Sequence, residues 1–184
     1  ALESNKEYLV ESRLTPIATR RGLGSIRELV AQLRDRPYSA AHAEVVEAMT
    51  TNETSFFRDL HPFEALKTEV LPDLIAARAA RRSLSIWSAA CSSGQEPATI
   101  AMLLLENFPQ LRDWRVEILA TDLSQEMLDR AQAGEYTQME VNRGLPSQLL
   151  VKYFARQGLR WQLKPEVRRL LRFSKMNLAR PWPA

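Results

Sequence analysis

Apolar side chains recur every three or four positions along the first 70 residues, which is the spacing of an amphipathic helix. One stripe follows the good N-cap residue Ser25 and consists of Ile26, Leu29, Val30 and Leu33. A second stripe consists of Ala43, Val46 and Met49. Residues 61–82 continue the spacing, with Pro62 near a helix start, and Pro72 should kink or break that helix because proline has no backbone N–H. The first third of the chain is therefore predicted to be helical.

The pattern changes at residue 84. Residues 84–90 form a short apolar run that ends in small residues, which is typical of a buried strand entering a turn. The helix predicted over residues 96–108 has a buried stripe of Ile100, Leu103, Leu104 and Phe108. A second strand is predicted over residues 114–122, and a second helix follows it, capped by Ser124 and ended by Gly134. This alternation predicts a parallel sheet with right-handed crossovers.

Residues 135–175 interrupt the alternation. We expect a short helix over residues 145–154, and then two strands joined by a turn at Lys164–Glu166. Residues 170–178 would return to the main sheet as its third strand. Three parallel strands make half of a doubly wound sheet, so we expect this sequence to come from a longer protein.

Composition narrows the class of protein. The 184 residues contain no apolar run long enough for a transmembrane helix and no signal-peptide pattern at the N-terminus. Cys91 is the only cysteine, so no internal disulfide can form, which suits a reducing cytoplasm. One cysteine and two histidines weigh against a structural zinc site, and we expect no metal.

Basic residues are concentrated in two stretches. Residues 152–175 carry eight lysines and arginines against Glu166 alone. The other cluster consists of Arg20, Arg21, Arg27, Arg34 and Arg36. Two readings remain open: both stretches are solvated faces, or they contact an anionic partner, either an acidic protein or a nucleic acid.

Candidate ligand-binding residues follow the predicted strands, because ligands of open α/β sheets bind beyond the carboxyl ends of the strands. Asp122 could accept hydrogen bonds from both ribose hydroxyls, or it could cap the helix beside Ser124. Glu96 could contact the ligand or simply complement a helix dipole. The loop at residues 88–96 has one glycine, Gly94, and lacks G-x-G-x-x-G, so a nucleoside without phosphates fits better than a dinucleotide.

Residues 51–59, TNETSFFRD, are difficult to place on one amphipathic helix. Asn52 and Thr54 are good caps and poor helix-interior residues. The segment is either a connection between helices with Phe56 and Phe57 in the core, or a linker folded over a ligand with Arg58 directed into the site. Taken alone, these residues favour the first reading.

Four motifs in this order and spacing resemble the CheR-type chemotaxis receptor methyltransferases: TNETSFFRD, IWSAACSSGQEPATIAM, ILATDLS and FSKMNL. The resemblance covers nearly the whole chain. It implies a class I S-adenosylmethionine-dependent methyltransferase sheet of the Rossmann-like α/β class, here incomplete. It also implies a helical N-terminal domain at residues 1–50, a linker at 51–70 and a cofactor-binding domain at 71–184 that carries a β-subdomain at about 135–175.

The resemblance also implies site residues. Those that would contact S-adenosylmethionine are Asn52, Thr54, Arg58, Glu96, Asp122, Asn177 and Leu178. Those that would face the substrate, the cytoplasmic domain of methyl-accepting chemotaxis receptors, are Arg13, Arg20 and Arg21. The product would be S-adenosylhomocysteine, and we expect a cytoplasmic protein with neither DNA as partner nor direct membrane insertion. Tethered members of the family have a longer, glycine-rich loop where this chain has Gly158 alone, so we expect no pentapeptide tether.

The implied chemistry requires no general base, because a glutamate side chain with a pKa of about 4.3 is already ionised at neutral pH. Arg58, the one residue implied to be catalytic, would position the reacting groups. Cys91 is better read as a buried small residue than as a nucleophile, since no base stands beside it. Two alternatives remain: a class I methyltransferase for another substrate, and a non-catalytic cofactor-sensing or receptor-binding module of a larger signalling protein.

Overall fold

The computed structural model describes residues 7–34 and 36–182, and the chain divides into two compact units, residues 1–51 and 52–184. The described part of the first unit is helical, with α1 (Glu7–Arg20), α2 (Ile26–Arg34) and α3 (Ala40–Met49). Its buried core consists of Leu14, Ile17, Ala18 and Leu29. The helical prediction for this region is confirmed.

Two side chains that the sequence predicted to face inward, Val30 and Val46, are exposed. Ser25 does cap α2, where its Oγ accepts a hydrogen bond from the Glu28 N–H at 3.2 Å. Val30, however, lies at the surface, and Val46 of α3 is 37% exposed. Its neighbour Val45 packs against the core instead. With two adjacent valines the spacing alone does not decide which one faces inward, and the packing against α1 does.

The second unit contains, in chain order, α4 (Leu60–Ala65), a π-helical turn (Leu66–Val70), α5 (Leu71–Arg78), β1 (Ser83–Ala89), α6 (Gln95–Asn107), a 3₁₀ segment (Pro109–Asp113), β2 (Arg115–Asp122), α7 (Gln125–Ala133), β3 (Glu135–Thr137), α8 (Gln138–Asn142), α9 (Ser147–Tyr153), β4 (Phe154–Gln157), β5 (Arg160–Leu163), α10 (Pro165–Arg168) and β6 (Leu171–Lys175). Pro72 does not break the helix. A π-helical turn immediately before α5 accommodates the missing N–H, as π turns do elsewhere in helices.

The main sheet is parallel and has the strand order β1-β2-β6. The first two strands and the helices after them agree with the prediction. Ser124 caps α7 by accepting a hydrogen bond from the Met127 N–H at 3.2 Å, and Gly134 ends that helix in the left-handed conformation. The predicted inner stripe of α6 is buried. The third strand of this sheet is β6, as the sequence predicted.

The three short strands within residues 135–163 form a second sheet, which is antiparallel with the order β3-β5-β4. The predicted turn at Lys164–Glu166 is wrong, because the short helix α10 begins at Pro165 and separates β5 from β6. Proline suits the first position of a helix, where its missing N–H has no partner to lose. The sequence did not predict β3 or β4, since strands of three and four residues are too short to show alternation.

An aromatic cluster joins the segment before α4 to the small sheet. Phe56 is fully buried, and its ring meets Tyr136 edge to face at 5.0 Å and Phe154 at 5.6 Å between centroids. Gly144 makes this packing possible, because a Cβ on Gly144 would lie 2.0 Å from the carbonyl oxygen of Phe56. The reading that placed Phe56 in the core is therefore confirmed, whereas Phe57 is half-buried and packs against the edge of that core.

Replacing Gly144 by alanine is expected to lower the free energy of unfolding markedly. Both Gly144 and Gly158 have positive φ, which costs a non-glycine residue about 1–2 kcal/mol. Gly158→Ala should cost only this strain, because its Cβ would meet nothing within 4 Å. Gly144→Ala should cost more, because a backbone atom must move. Urea unfolding followed by circular dichroism measures both, and equal losses would contradict the close approach.

Candidate functional site

The carboxyl ends of β1, β2 and β6 lie at the same edge of the main sheet. Asp122 ends β2, and in the sheet register it pairs with Lys175. The backbone of Met176 then donates a hydrogen bond to the Asp122 carbonyl at 2.9 Å, so Asn177 follows directly at this edge. Two of the residues predicted from separate motifs are thereby brought to one place.

The Asp122 side chain holds two loops. It is 8% exposed, and its oxygens accept hydrogen bonds from the Ser92 N–H at 2.7 Å and from the Ser124 N–H at 2.9 Å. Asp122 thus supports Ser124, the residue that caps α7, which is close to the capping role that the sequence left open. A carboxylate has about four lone-pair sites, so it can still accept hydrogen bonds from a ligand.

The loop between β1 and α6 has an unusual backbone. Ala90 and Ser92 have φ values of 59° and 48°. This left-handed region of the backbone is rarely adopted by residues other than glycine and a few polar ones. Gly94 has φ 91°, and a Cβ there would lie 2.9 Å from the Cβ of Ala131 in α7. The single glycine therefore serves close packing between loop and helix. Strained backbone of this kind is common where a loop is shaped for a ligand.

Glu96 stands in the first turn of α6 and is exposed. The buried Ser88 hydroxyl, at the end of β1, donates a hydrogen bond to Glu96 Oε1 at 2.7 Å. Ser88 thereby fixes the direction of this carboxylate. Sequence reasoning did not single out Ser88, although serine at the end of a predicted buried strand is a signal that could have done so.

The segment at residues 52–57 is hydrogen-bonded to the loop and to α6. The Ser92 hydroxyl donates to the Asn52 carbonyl at 2.9 Å, and the Phe57 N–H donates to Thr99 Oγ1 at 3.2 Å. Glu53 pairs with Arg143, and the hydrogen bond from this guanidinium lowers the pKa of the Glu53 carboxyl. Asn52 is therefore next to Ser92, which itself binds Asp122.

The other predicted residues of this group are less closely connected. Arg58 is exposed and donates to the Glu53 carbonyl at 3.0 Å, while Thr54 is half-buried. Asn177 is half-buried and its Oδ1 accepts a hydrogen bond from the Ala179 N–H at 2.9 Å. Leu178 is largely exposed. None of these side chains contacts Asp122 or Glu96 through a hydrogen bond among the described residues.

Two tryptophans beside this edge were not predicted. Trp87 of β1 donates from its indole N–H to Thr121 Oγ1 at 2.9 Å, next to Asp122. The Trp182 ring meets Trp87 edge to face at 4.9 Å, and its indole N–H donates to the Leu178 carbonyl at 3.3 Å. The segment after β6 thus reaches back to β1. No local pattern predicts this contact, because it joins residues far apart in the chain.

The three arginines predicted to face a substrate lie in the first unit. Arg20 and Arg21 both donate to Glu44, at 2.8 and 2.7 Å, and these hydrogen bonds lower the pKa of the Glu44 carboxyl. Arg13 donates to the carbonyl of Thr50 at 2.9 Å and so ties α1 to the end of α3. Arg13 is thus hydrogen-bonded within the unit. Of the two partners of Glu44, Arg20 is more exposed than Arg21.

Cys91 is 1% exposed, and desolvation, reinforced by the Asp122 carboxylate, raises the pKa of its thiol to about 12. It is a small buried residue, as the sequence suggested. Across residues 7–34 and 36–182, no group of histidine, cysteine, aspartate and glutamate side chains is arranged to hold a metal ion. None of the helices in those ranges combines the length and apolar character that crossing a bilayer requires.

The parallel β1-β2-β6 sheet, with acidic residues at its carboxyl edge and no phosphate-binding glycine motif, is consistent with the class I methyltransferase fold. The sequence profile described as "CheR methyltransferase, SAM binding domain" matches residues 52–184. The chain therefore belongs to the CheR methyltransferase family, whose cofactor is S-adenosylmethionine. This confirms the family resemblance, the fold class and the cofactor inferred from the motifs.

Relatives in three bacteria are similar over 96% of the chain. It is 47% identical to chemotaxis protein methyltransferase 1 of Pseudomonas aeruginosa, 44% identical to chemotaxis protein methyltransferase Cher2 of Pseudomonas putida, and 40% identical to chemotaxis protein methyltransferase 1 of Vibrio cholerae. The chain spans 65%, 66% and 64% of the lengths of these relatives, respectively.

Because Cys91 is buried and its thiol pKa is raised, we predict that it is unreactive in the folded protein. At about pH 8, close to the ordinary cysteine pKa, a thiol-specific disulfide reagent should leave the folded protein unmodified because the thiolate is neither formed nor accessible. The same reagent should titrate one thiol per chain in denaturant. Absorbance of the released thiol measures both, and rapid reaction of the folded chain would contradict the buried placement.

Proposed function

We propose that this chain is part of a protein-glutamate O-methyltransferase that transfers methyl groups from S-adenosylmethionine to glutamate side chains of chemotaxis receptors in the cytoplasm. The observation that carries the proposal is the family match over residues 52–184, together with the named methyltransferase relatives. The arrangement of the carboxyl edge supports it, because the acceptors needed for a nucleoside cofactor stand there.

The side chains at this edge fit the cofactor chemically. Asp122 would supply carboxylate oxygens for hydroxyl donors, and Glu96, whose Oε1 accepts from Ser88, would supply its other oxygen. Asn52 and Thr54 would bind the cofactor from the linker, and Asn177 and Leu178 would lie against its adenine. Carboxylates and amides accept hydrogen bonds from hydroxyl and amino groups, which are the donors that the cofactor carries.

S-adenosylmethionine supplies a methyl group on a positively charged sulfonium. The protein's part is to align the incoming carboxylate with that methyl group and to exclude water, since alignment is a major source of rate acceleration. The substrate glutamate is ionised at neutral pH and can attack without a base. Arg58 would position a carboxylate, either that of the substrate or that of the cofactor.

The hairpin of the small antiparallel sheet is relevant to whether the protein binds a receptor through its C-terminal pentapeptide. A two-residue connection, Gly158 and Leu159, joins β4 to β5 in a tight hairpin. We propose that this hairpin does not hold a receptor's C-terminal pentapeptide. The receptor would instead contact the first unit, where Arg13, Arg20 and Arg21 are the candidate residues.

Replacing Asp122 by asparagine is expected to weaken binding of S-adenosylhomocysteine at least about tenfold, since lost hydrogen bonds to a charged acceptor cost about 1.5–3 kcal/mol. Calorimetric titration measures the affinity. Asp113→Asn is the matched control, because Asp113 is a largely exposed aspartate that ends the 3₁₀ segment before β2, away from the carboxyl edge, and should leave binding unchanged. Circular dichroism must show that the Asp122 variant is folded.

Three results would separate the explanations. Binding that the Asp122 variant retains in full would overturn the assignment of this residue. Binding of the cofactor without methyl transfer to receptor fragments, in the chain and in a longer natural form, would favour a cofactor-sensing module. Salt-sensitive binding to RNA or DNA would favour a methyltransferase for nucleic acid.

Replacing Arg20 by glutamine is expected to weaken binding to a receptor cytoplasmic fragment several-fold, and more at low ionic strength, because exposed charges act mainly through long-range attraction. Arg78→Gln, an exposed arginine of α5, removes the same charge elsewhere and serves as control. Surface plasmon resonance at two salt concentrations measures the effect. Equal weakening by both variants would indicate a net-charge effect and contradict a role for Arg20.

A further inference from the structure

A cavity of about 300 Å³ lies at the amino edge of the main sheet. It is bounded by the end of α6, the 3₁₀ segment, the start of β2 and the residues just before β6. The proposed cofactor site is at the other end of β2, roughly 20 Å away for an eight-residue strand. The cavity is therefore separate from the site described above.

Most of the residues that line the cavity are apolar. They include Leu104, Phe108, Leu111, Trp114 and Leu170. Phe108 and Leu111 are buried, whereas Trp114 and Leu170 are half-buried and so present apolar surface to whatever enters. A cavity of this size lies at the lower end of the range for small-molecule sites, which are usually apolar with a few placed polar groups.

The charged residues that line the cavity are all arginines. Arg112, Arg115 and Arg169 line it, and no acidic residue does. Within residues 7–34 and 36–182, none of these three guanidinium groups has an ion pair or a side-chain hydrogen bond. Asp113, next to Arg112 in the sequence, lies 3.6 Å from Arg82, and Glu106 of α6 binds Lys152 and Tyr153.

These three exposed arginines have no counter-charge among the described residues, and a bound anion would supply one. The planar guanidinium matches a carboxylate through two parallel hydrogen bonds, a geometry that an ammonium group cannot offer. An anion alone would leave the apolar walls wet, and a neutral apolar molecule would leave the arginines without a counter-charge. The combination fits a molecule that has both features.

We propose that this cavity binds a small anionic amphiphile, a carboxylate carried on an aromatic or branched aliphatic body. The body would pack against Trp114 and Leu111, and the carboxylate would lie between Arg112, Arg115 and Arg169. This binding does not depend on the proposed methyltransferase activity.

A pair of fluorescent probes tests the two features separately. In 1-anilinonaphthalene-8-sulfonate the sulfonate stands in for the carboxylate and the rings for the apolar body. N-phenyl-1-naphthylamine has the same rings without the charge. We expect the sulfonate to bind at one site per chain, and the double variant Arg112→Gln/Arg169→Gln to weaken it about tenfold while changing binding of the neutral probe less than about twofold.

The control double variant Arg78→Gln/Arg160→Gln removes the same charge from exposed positions outside the cavity, and it should bind both probes as the unaltered chain does. Binding of the sulfonate that survives in Arg112→Gln/Arg169→Gln, or that falls equally in the control, would overturn the proposal. So would the absence of saturable binding.

Nuclear magnetic resonance of the indole N–H groups locates the probe on the unaltered chain, whatever the variants do to folding. The chain has four tryptophans, and Trp114→Phe identifies the resonance of Trp114 by its loss. The sulfonate should shift the Trp114 resonance more than those of Trp87, Trp161 and Trp182. A larger shift of any other indole would place the probe elsewhere and contradict the cavity as its site.

Discussion

The candidate site depends on two hydrogen bonds to one buried carboxylate. Asp122 accepts a hydrogen bond from the Ser92 N–H in the loop after β1 and another from the Ser124 N–H in the turn before α7. A buried charge persists only where such donors replace water, and these donors would in turn lack partners without it. Because the same Ser92 also holds the carbonyl of Asn52, the position of the linker segment follows from that of Asp122.

The linker segment is held by packing as well as by hydrogen bonds. The Phe56 ring is enclosed by Tyr136 and Phe154, and its carbonyl lies against Gly144. Burying a phenylalanine contributes about 1.5–3 kcal/mol. The small antiparallel sheet therefore stabilises the wall of the candidate cofactor site, whatever else it contacts. If the proposed site is correct, substitutions in that sheet would weaken cofactor binding without touching the cofactor.

Long periodic elements could be predicted from the sequence, and short or long-range features could not. The strand ending at Ala89 and the helix beginning at Gln95 follow from local spacing. The three-residue strand β3 carries too few positions for a pattern, and the choice of Val45 over Val46 depends on α1. The motifs indicated Asp122 and Asn52, but the contact between Ser92 and Asn52 joins residues that are 40 positions apart and has no local signal.

The placement of Arg58 bears on how methyl transfer would proceed. A guanidinium locked in a buried ion pair could not change partners without a large desolvation cost. Arg58 is exposed, and one hydrogen bond to the Glu53 carbonyl uses only one of its several N–H donors. The remaining donors can orient a carboxylate through contacts that are weak in water. A weak contact is the useful one here, because a tight ion pair would stabilise the attacking oxygen and slow its reaction with the sulfonium. If Arg58 has the proposed role, its exposed position would suit orientation of a carboxylate, of the substrate or of the cofactor, better than strong binding of its charge.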